Sequence, residues 1–452
     1  MTSILWLRQD LRLRDQPALI AAAHDGPVIP VYILDDDAPG KWRMGAAQRW
    51  WLHHSLTALG KGLRDKHSRL ILRRGDAVKT LKALMGETGA ETIHAIRHYE
   101  PWWRKAEEAL GDALTPHDGN HLVPIEDITT GAGGQFKVYS SFWKALSKQM
   151  PPPKPEPVPH AIPAPKTWPK TDPVSDWDLL PTRPDWSKGF DADWMSGEDQ
   201  ARTHAQDFAH TVGAYDSDRN LPSIEGTSRL SPHLHFGEIS ARDVWHATDR
   251  HRDALTFRKE LAWRDFTAGV ILAMPDYGDA NGRPKFDKLP WRSGKAAKAD
   301  LRAWQRGRTG YPIVDAGMRQ LWATGWMHNR VRMITASFLI KHLLIDWREG
   351  ERWFWDTLVD ADFGNNAVNW QWVAGTGVDS NMFGRIMAPL SQSEKFDAGD
   401  YIREWVPELK DLSDEAIHDP EEAGCRPDAY PQKLIGHREA RERALAAGKH
   451  AR

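Results

Sequence analysis

Apolar, β-branched runs alternate with helical periodicity over the first third of the chain. Ile4 to Leu7 and Val28 to Leu34 read as strands, and Asp15 to Ala23 between them, with Pro17 near its start, reads as a helix. Leu70-Ile71-Leu72 and Thr92 to Ile96 repeat the strand signal, each after a helical pattern, so residues 1–130 predict a Rossmann-like parallel α/β domain. Residues 131–196 then lose periodicity, and twelve of the chain's 30 prolines fall between Pro151 and Pro184. Proline fixes φ and lacks a backbone donor, so this stretch predicts an extended interdomain linker. Residues 197–452 are almost wholly helical in pattern. Between Ala316 and Trp347, for example, Met318, Leu321, Trp322, Gly325, Trp326, Asn329, Met333 and Ser337 recur at intervals of three and four. A large all-α second domain is expected.

Composition narrows the chemistry. The chain has 23 tryptophans against 8 tyrosines, a bias toward the largest stacking surface and the most easily oxidised ring. Lys plus Arg is 60 and Asp plus Glu 62, so net charge does not mark a nucleic-acid binder and any basic surface must be local. The single cysteine, Cys425, excludes an intramolecular disulfide and a cysteine-ligated cluster, and suits a reducing cytoplasm. Arg8 and Asp10 interrupt the N-terminus where a secretory apolar core would lie, and no run of about 18 apolar residues follows. A soluble cytoplasmic protein is expected. His53-His54 and His233-x-His235 lack a third ligand at metal-site spacing, so no metal is expected. There is no G-x-G-x-x-G, Walker or G-x-S-x-G motif.

Four segments carry candidate chemistry. In Asp360 to Trp372, Asp362, Asn366 and Trp370 fall at i, i+4 and i+8, one face of a helix that offers a carboxylate, an amide and an indole. That face suits a planar ligand with polar edges such as a flavin, or else an ordinary capped helix with interior tryptophans. Gly226 to Pro232 sets hydroxyls around Arg229, with Ser231 placed to cap a helix opened by Pro232, either as a diphosphate site or as a plain helix start. Glu260 and Trp263, at i and i+3, offer a stacking surface beside an acid. Arg330 and Arg332, two residues apart, point to different faces, one free to pair with an Asp and the other to reach a phosphate.

In order along nearly the whole chain, these segments resemble the photolyase and cryptochrome family. Trp6 to Asp15 resembles its N-terminal signature; Glu225 to Ser231, Arg308 to Arg319, Gly325 to Met333 and Asp360 to Trp372 resemble its flavin-site motifs. The resemblance implies an antenna domain, a long linker and a helical FAD domain, with light-driven repair of cyclobutane pyrimidine dimers in UV-damaged DNA. It implies that Tyr215, Thr227, Ser228, Arg229, Leu230, Ser231 and Arg264 hold FAD, that Arg332 pairs with Asp360, that Ala361 and Asp362 lie beside the flavin, and that Asn366 faces flavin N5. Glu260, Trp263, Asn329, Met333 and Trp372 match the pocket for a flipped dimer, and Arg219, Arg330 and Arg385 match positions that bind DNA phosphates. Trp370, Trp347 and Trp291 match the electron-transfer chain that photoreduces FAD, with Trp304 an alternative third member. Glu260, Asn366 and these tryptophans are the expected catalytic residues.

Within the family, Asn366, Met333 and Asn329 are of the dimer-repair type, and one cysteine excludes the iron-sulfur branch. Gly317 to Trp326 and Phe354 to Asp362 are similar to plant cryptochromes, as in bacterial class III enzymes, and a class III-like enzyme is expected. The chain runs only a short way past Arg438 to Arg443, without the long tail of signalling cryptochromes. At the usual folate positions stand Trp42 and Trp102-Trp103, which would stack a pterin in a different pose. Methenyltetrahydrofolate is the expected antenna and a deazaflavin the alternative. A monomer is expected, without metal or membrane. The rival functions are a cryptochrome-type photosensor and a light-independent flavin oxidoreductase.

Overall fold

The computed structural model describes residues 1–249, 252–380 and 382–449. Five short strands, Ser3–Leu7 (β1), Val28–Leu34 (β2), Ile71–Arg74 (β3), Thr92–Ile96 (β4) and Leu114–His117 (β5), form one parallel sheet in the order β3-β2-β1-β4-β5. All residues of β1 and β2 are buried, as expected of a parallel sheet covered on both faces. The helices Pro17–Asp25 (α1), Ala46–Asp65 (α2), Ala77–Thr88 (α3) and Pro101–Leu110 (α4) connect the strands. The first starts two residues later than its apolar pattern predicts. Pro17 supplies the preset φ of a first helical residue, while Asp15 stays outside the helix at φ 50° and binds Arg242 from the helical region at 2.6 Å. Strand β5 was not expected: Leu-Thr-Pro-His buries only Leu114 fully, and a four-residue edge strand carries no alternation to read.

The proline-rich segment is laid against the sheet. Val28 donates to Pro163 at 2.8 Å, Leu72 donates to the Thr171 hydroxyl at 2.9 Å, and Asp172 donates back to Leu72 at 3.0 Å. The exposed edge of β3 is thereby covered without a sixth strand.

The linker stretch carries one two-turn helix, Tyr139–Leu146 (α5), and beyond it the principal helices are Glu198–Thr211 (α6), Ser231–His235 (α7), Leu255–Ala273 (α8), Pro312–Thr324 (α9), Asn329–Ser337 (α10), Trp347–Thr357 (α11), Phe363–Ala374 (α12) and His437–Lys449 (α13). The periodic stretch from Ala316 to Trp347 is not one helix. It breaks at Gly325, which takes φ 68° and whose Cβ, had it one, would lie 2.7 Å from Phe190. The chain restarts at α10, where the His328 ring accepts from the Arg330 amide, and then passes into a π-turn at Phe338–His342. Among the contacts that join the α/β and helical regions, Trp51 of α2 donates to Glu238 at 3.2 Å, and Gln48 donates to the Trp355 carbonyl at 2.9 Å. No helix among the described residues is long and apolar enough to cross a membrane.

Candidate functional site

A cavity of about 430 Å³ opens in the helical region. One wall is the turn from Thr227 to Ser231, with Tyr215 beside it. Arg229 bends the turn with φ 50°, and its guanidinium lies 4.3 Å over the Trp194 ring. Ser228 accepts from the Leu230 amide at 3.3 Å. Ser231 does not cap the helix as expected. It is the first residue of the five-residue α7, preceded by Leu230, and no side chain caps that start. Its hydroxyl is left to the cavity.

Opposite stands the segment that leads into α12. Arg332 grips Asp360 in a two-pronged pair at 3.0 and 2.8 Å and donates its Nε to the Met327 carbonyl at 2.7 Å. Asp362 caps α12 through Oδ1, which accepts from the amide and side chain of Asn365 at 2.7 and 2.8 Å. Asn366 donates to the Glu351 carbonyl at 3.2 Å and lines the cavity. Arg264 donates one nitrogen to Leu234 at 3.1 Å, while its Nη1 is buried without a partner beside the same cavity. Unsatisfied buried polar atoms, two hydroxyls and a bend of backbone fit a polar nucleotide cofactor better than an apolar ligand.

Glu351 is a residue that sequence reasoning missed. It is fully buried on α11 with neither oxygen partnered, and burial, then Asp279, pushes its carboxyl well above the usual range. Its only signal was position: four residues after Trp347 it shares the inward face of α11.

Trp370 forms the cavity floor, 4.9 Å from Phe354 and 6.3 Å from Trp304 between ring centres. It also packs on Gly350, where a Cβ would collide with the indole, so α11 must carry glycine there, one turn from Trp347. Trp347 is wholly buried and donates to Asn281 at 3.0 Å. Trp291 is half-buried, 6.2 Å from Phe383. Trp347 and Trp291 do not line the cavity.

Glu260, Trp263, Asn329, Met333 and Trp372 all line the cavity. Glu260 forms an ion pair with Arg219, whose guanidinium lies 5.3 Å over Tyr215. Arg219 is therefore held at the cavity by the very acid expected to meet substrate. Arg330 donates to Asn220 at 2.6 Å and lies 4.5 Å over Phe396. Its pKa is lowered by burial, then by the nearby guanidinium groups of Arg219 and Arg385, so three arginines lie close together beside Glu260. Tyr139, also missed, braces Trp263 at 4.9 Å and donates its hydroxyl to the Lys259 carbonyl at 2.5 Å.

The tryptophans at the usual folate positions are closed. Trp42 packs edge-on against Phe363 at 5.2 Å and Trp355 at 5.5 Å, Trp102 against Phe363 at 5.1 Å, and Trp103 against Trp6 at 5.9 Å. These rings pack edge to face with one another. Trp322, 42 % exposed, instead lies nearly parallel to Trp353 at 5.9 Å and stacks on Trp186 at 4.8 Å. His233 is paired with Glu238 at 2.5 Å, and among the described residues no group of three or more His, Cys, Asp or Glu is arranged to hold a metal.

Residues 3–160 match the family profile for DNA photolyase, and residues 257–450 match the FAD binding domain of DNA photolyase. A deoxyribodipyrimidine photo-lyase of Agrobacterium fabrum is 48% identical over 98% of this chain and 97% of its own. Cryptochrome-1 of Arabidopsis thaliana is 33% identical over 98% of this chain and 69% of its own. A bacterial class III photolyase of Agrobacterium tumefaciens superposes with a TM-score of 0.93 at 47% identity, over 99% of this chain and 97% of that one. The chain therefore belongs to the DNA photolyase and cryptochrome family, close to its bacterial class III members.

Proposed function

We propose that this protein is a deoxyribodipyrimidine photolyase that repairs cyclobutane pyrimidine dimers in DNA by light. One observation carries the reading: a single cavity joins Asp362 and Asn366 to Glu260, Trp263, Met333 and Trp372, beside three neighbouring arginines. Bound FAD supplies the light-driven one-electron transfer to the dimer and takes the electron back. The two bonds of the cyclobutane ring break, the pyrimidines are restored, and only a photon is consumed. Thr227, Ser228 and Ser231 with Arg264 hold the cofactor, and Arg332, through Asp360, fixes the segment that carries Ala361 and Asp362. Asn366 presents its amide oxygen to the flavin edge. Trp263 and Trp372 stack the flipped bases, which must leave the duplex to be reached, and Asn329 and Met333 complete their pocket. Glu260 hydrogen-bonds the dimer's carbonyl edge once DNA phosphate draws Arg219 away. Arg330 and Arg385 grip the neighbouring phosphates, and Trp370, Trp347 and Trp291 form the row that recharges the cofactor.

The same reading divides the chain into an antenna domain (1–130), a linker (131–196) and a catalytic domain (197–452), and makes it a cytoplasmic monomer. The antenna is methenyltetrahydrofolate rather than a deazaflavin. The exposed ring of Trp322, parallel to Trp353, supports a planar pterin, and Trp322→Ala should release a near-ultraviolet-absorbing chromophore from the purified protein. The decisive experiment illuminates dimer-containing oligonucleotide with the reduced holoenzyme. Restoration of the pyrimidines is expected, and tight binding without repair would move the protein to the photosensor reading.

A further inference from the structure

Two hydrogen-bond acceptors face each other where the flavin cavity meets a smaller one beneath the sheet. His235, at the end of α7, is 3 % exposed and borders both. Its Nε2 lies 3.2 Å from the side-chain oxygen of Gln48, in α2 of the N-terminal domain. The Gln48 nitrogen is committed to the Trp355 carbonyl, so the oxygen faces the imidazole. An amide oxygen only accepts, and the imidazole proton therefore sits on Nε2. Burial lowers the pKa of His235 to about 4, which leaves the ring neutral and its Nδ1 a bare lone pair.

That Nδ1 is buried without a partner. It lies 4.0 Å from Oδ2 of Asp362, whose other oxygen is occupied by Asn365. No proton belongs to either atom of the pair, and a buried acceptor without a donor is costly. The arrangement lacks one N–H or O–H, and both residues line the cavity read above as the flavin site.

We propose that His235 Nδ1 and Asp362 Oδ2 form a two-acceptor clamp for one hydrogen-bond donor of FAD, a ribityl hydroxyl or the imide N3–H, with Gln48 as the positioning residue that fixes the tautomer. The proposal rests on the flavoprotein reading. It makes cofactor retention depend on a residue outside the recognised flavin motifs, and ties that retention to the N-terminal domain through a single amide.

The test compares the apoprotein and FAD titrations of the full chain with those of His235→Phe, which keeps a flat ring and removes both nitrogens. FAD affinity should fall about five- to tenfold, the loss of one hydrogen bond. The melting temperature of the apoprotein should change little, because the orphan Nδ1 is gone while the Gln48 oxygen loses its donor. Unchanged FAD affinity, or an equal loss of stability with and without FAD, overturns the clamp. Should His235→Phe fail to fold, Gln48→Met takes its place: it frees His235 to protonate Nδ1 and donate to Asp362, so FAD binding should weaken, and unaltered binding sinks the proposal. Titration with N3-methyl-FAD separates the two donors; weaker binding by the wild type but not by His235→Phe identifies the imide, and equal binding identifies a ribityl hydroxyl. Parent protein that takes up no FAD would overturn the flavoprotein reading itself, whereas FAD bound alike by parent and variant removes the clamp alone.

Discussion

Asn366 donates its amide to the main-chain carbonyl of Glu351 at 3.2 Å, while the carboxyl of Glu351 has no partner. The backbone bond orients Asn366, and the side chain beside it is a buried acid held neutral. Burial raises its folded pKa above the ordinary carboxyl value of 4.5, so above about pH 4.5 the native state binds more protons than the unfolded chain. Stability from this group is present below that pH and is lost as pH rises toward the raised folded value. Glu351→Gln, uncharged throughout, should flatten the decline of melting temperature above about pH 4.5 while leaving FAD bound. An unaltered slope would place the proton elsewhere.

Trp370 touches Trp304 and Phe354 and packs on the helix that carries Trp347. Trp370→Phe should abolish photoreduction of FAD in purified protein and spare repair by chemically reduced enzyme. Single replacements of Trp347 and Trp304 by Phe then locate the next member. Loss with Trp347→Phe supports the row proposed above; loss only with Trp304→Phe would redirect it.

With Arg219, Arg330 and Arg385 near one another, DNA affinity should fall steeply with salt despite a near-neutral chain. Arg330→Ala and Arg385→Ala should each weaken damaged and undamaged duplex alike and reduce the salt slope by about one. Arg219→Ala should do more than remove one contact, because it leaves Glu260 as an unpaired negative charge at the mouth. An affinity independent of ionic strength would contradict this electrostatic account.

Trp263 is a stacking wall braced by Tyr139 and Phe266 at about 5 Å. Trp263→Ala removes stacking worth roughly 1–3 kcal/mol per base and should loosen damaged-DNA binding about tenfold to a hundredfold. Tyr139→Leu should produce a smaller loss in the same direction. Glu260→Ala should spare binding and lower the quantum yield of repair, because its hydrogen bond matters most when the dimer carries the extra electron. If Trp263→Ala bound dimer-containing DNA like the parent and repaired it normally, the assigned pocket would have to be abandoned.

The local pattern by itself determined β1, β2 and β4, the proline-rich connector and the helix from Phe363 to Ala374 with its polar face, because each is a property of consecutive or helically spaced residues. The break at Gly325 was not legible, since a glycine in register looks like any other helical position until Phe190 closes on it. Nor was the sealing of Trp42 and Trp102 around Phe363, three rings drawn from two domains. Polar residues were the hardest to place. His235, Glu351 and Arg219 look in the chain like solvated side chains, and what each does depends on a partner or on the lack of one. Gln48 reaches His235 across 187 residues, and Arg219 meets Glu260 from another helix. Burial and pairing are three-dimensional quantities: periodicity tells which face of a helix turns inward, but only tertiary packing decides what that face will meet.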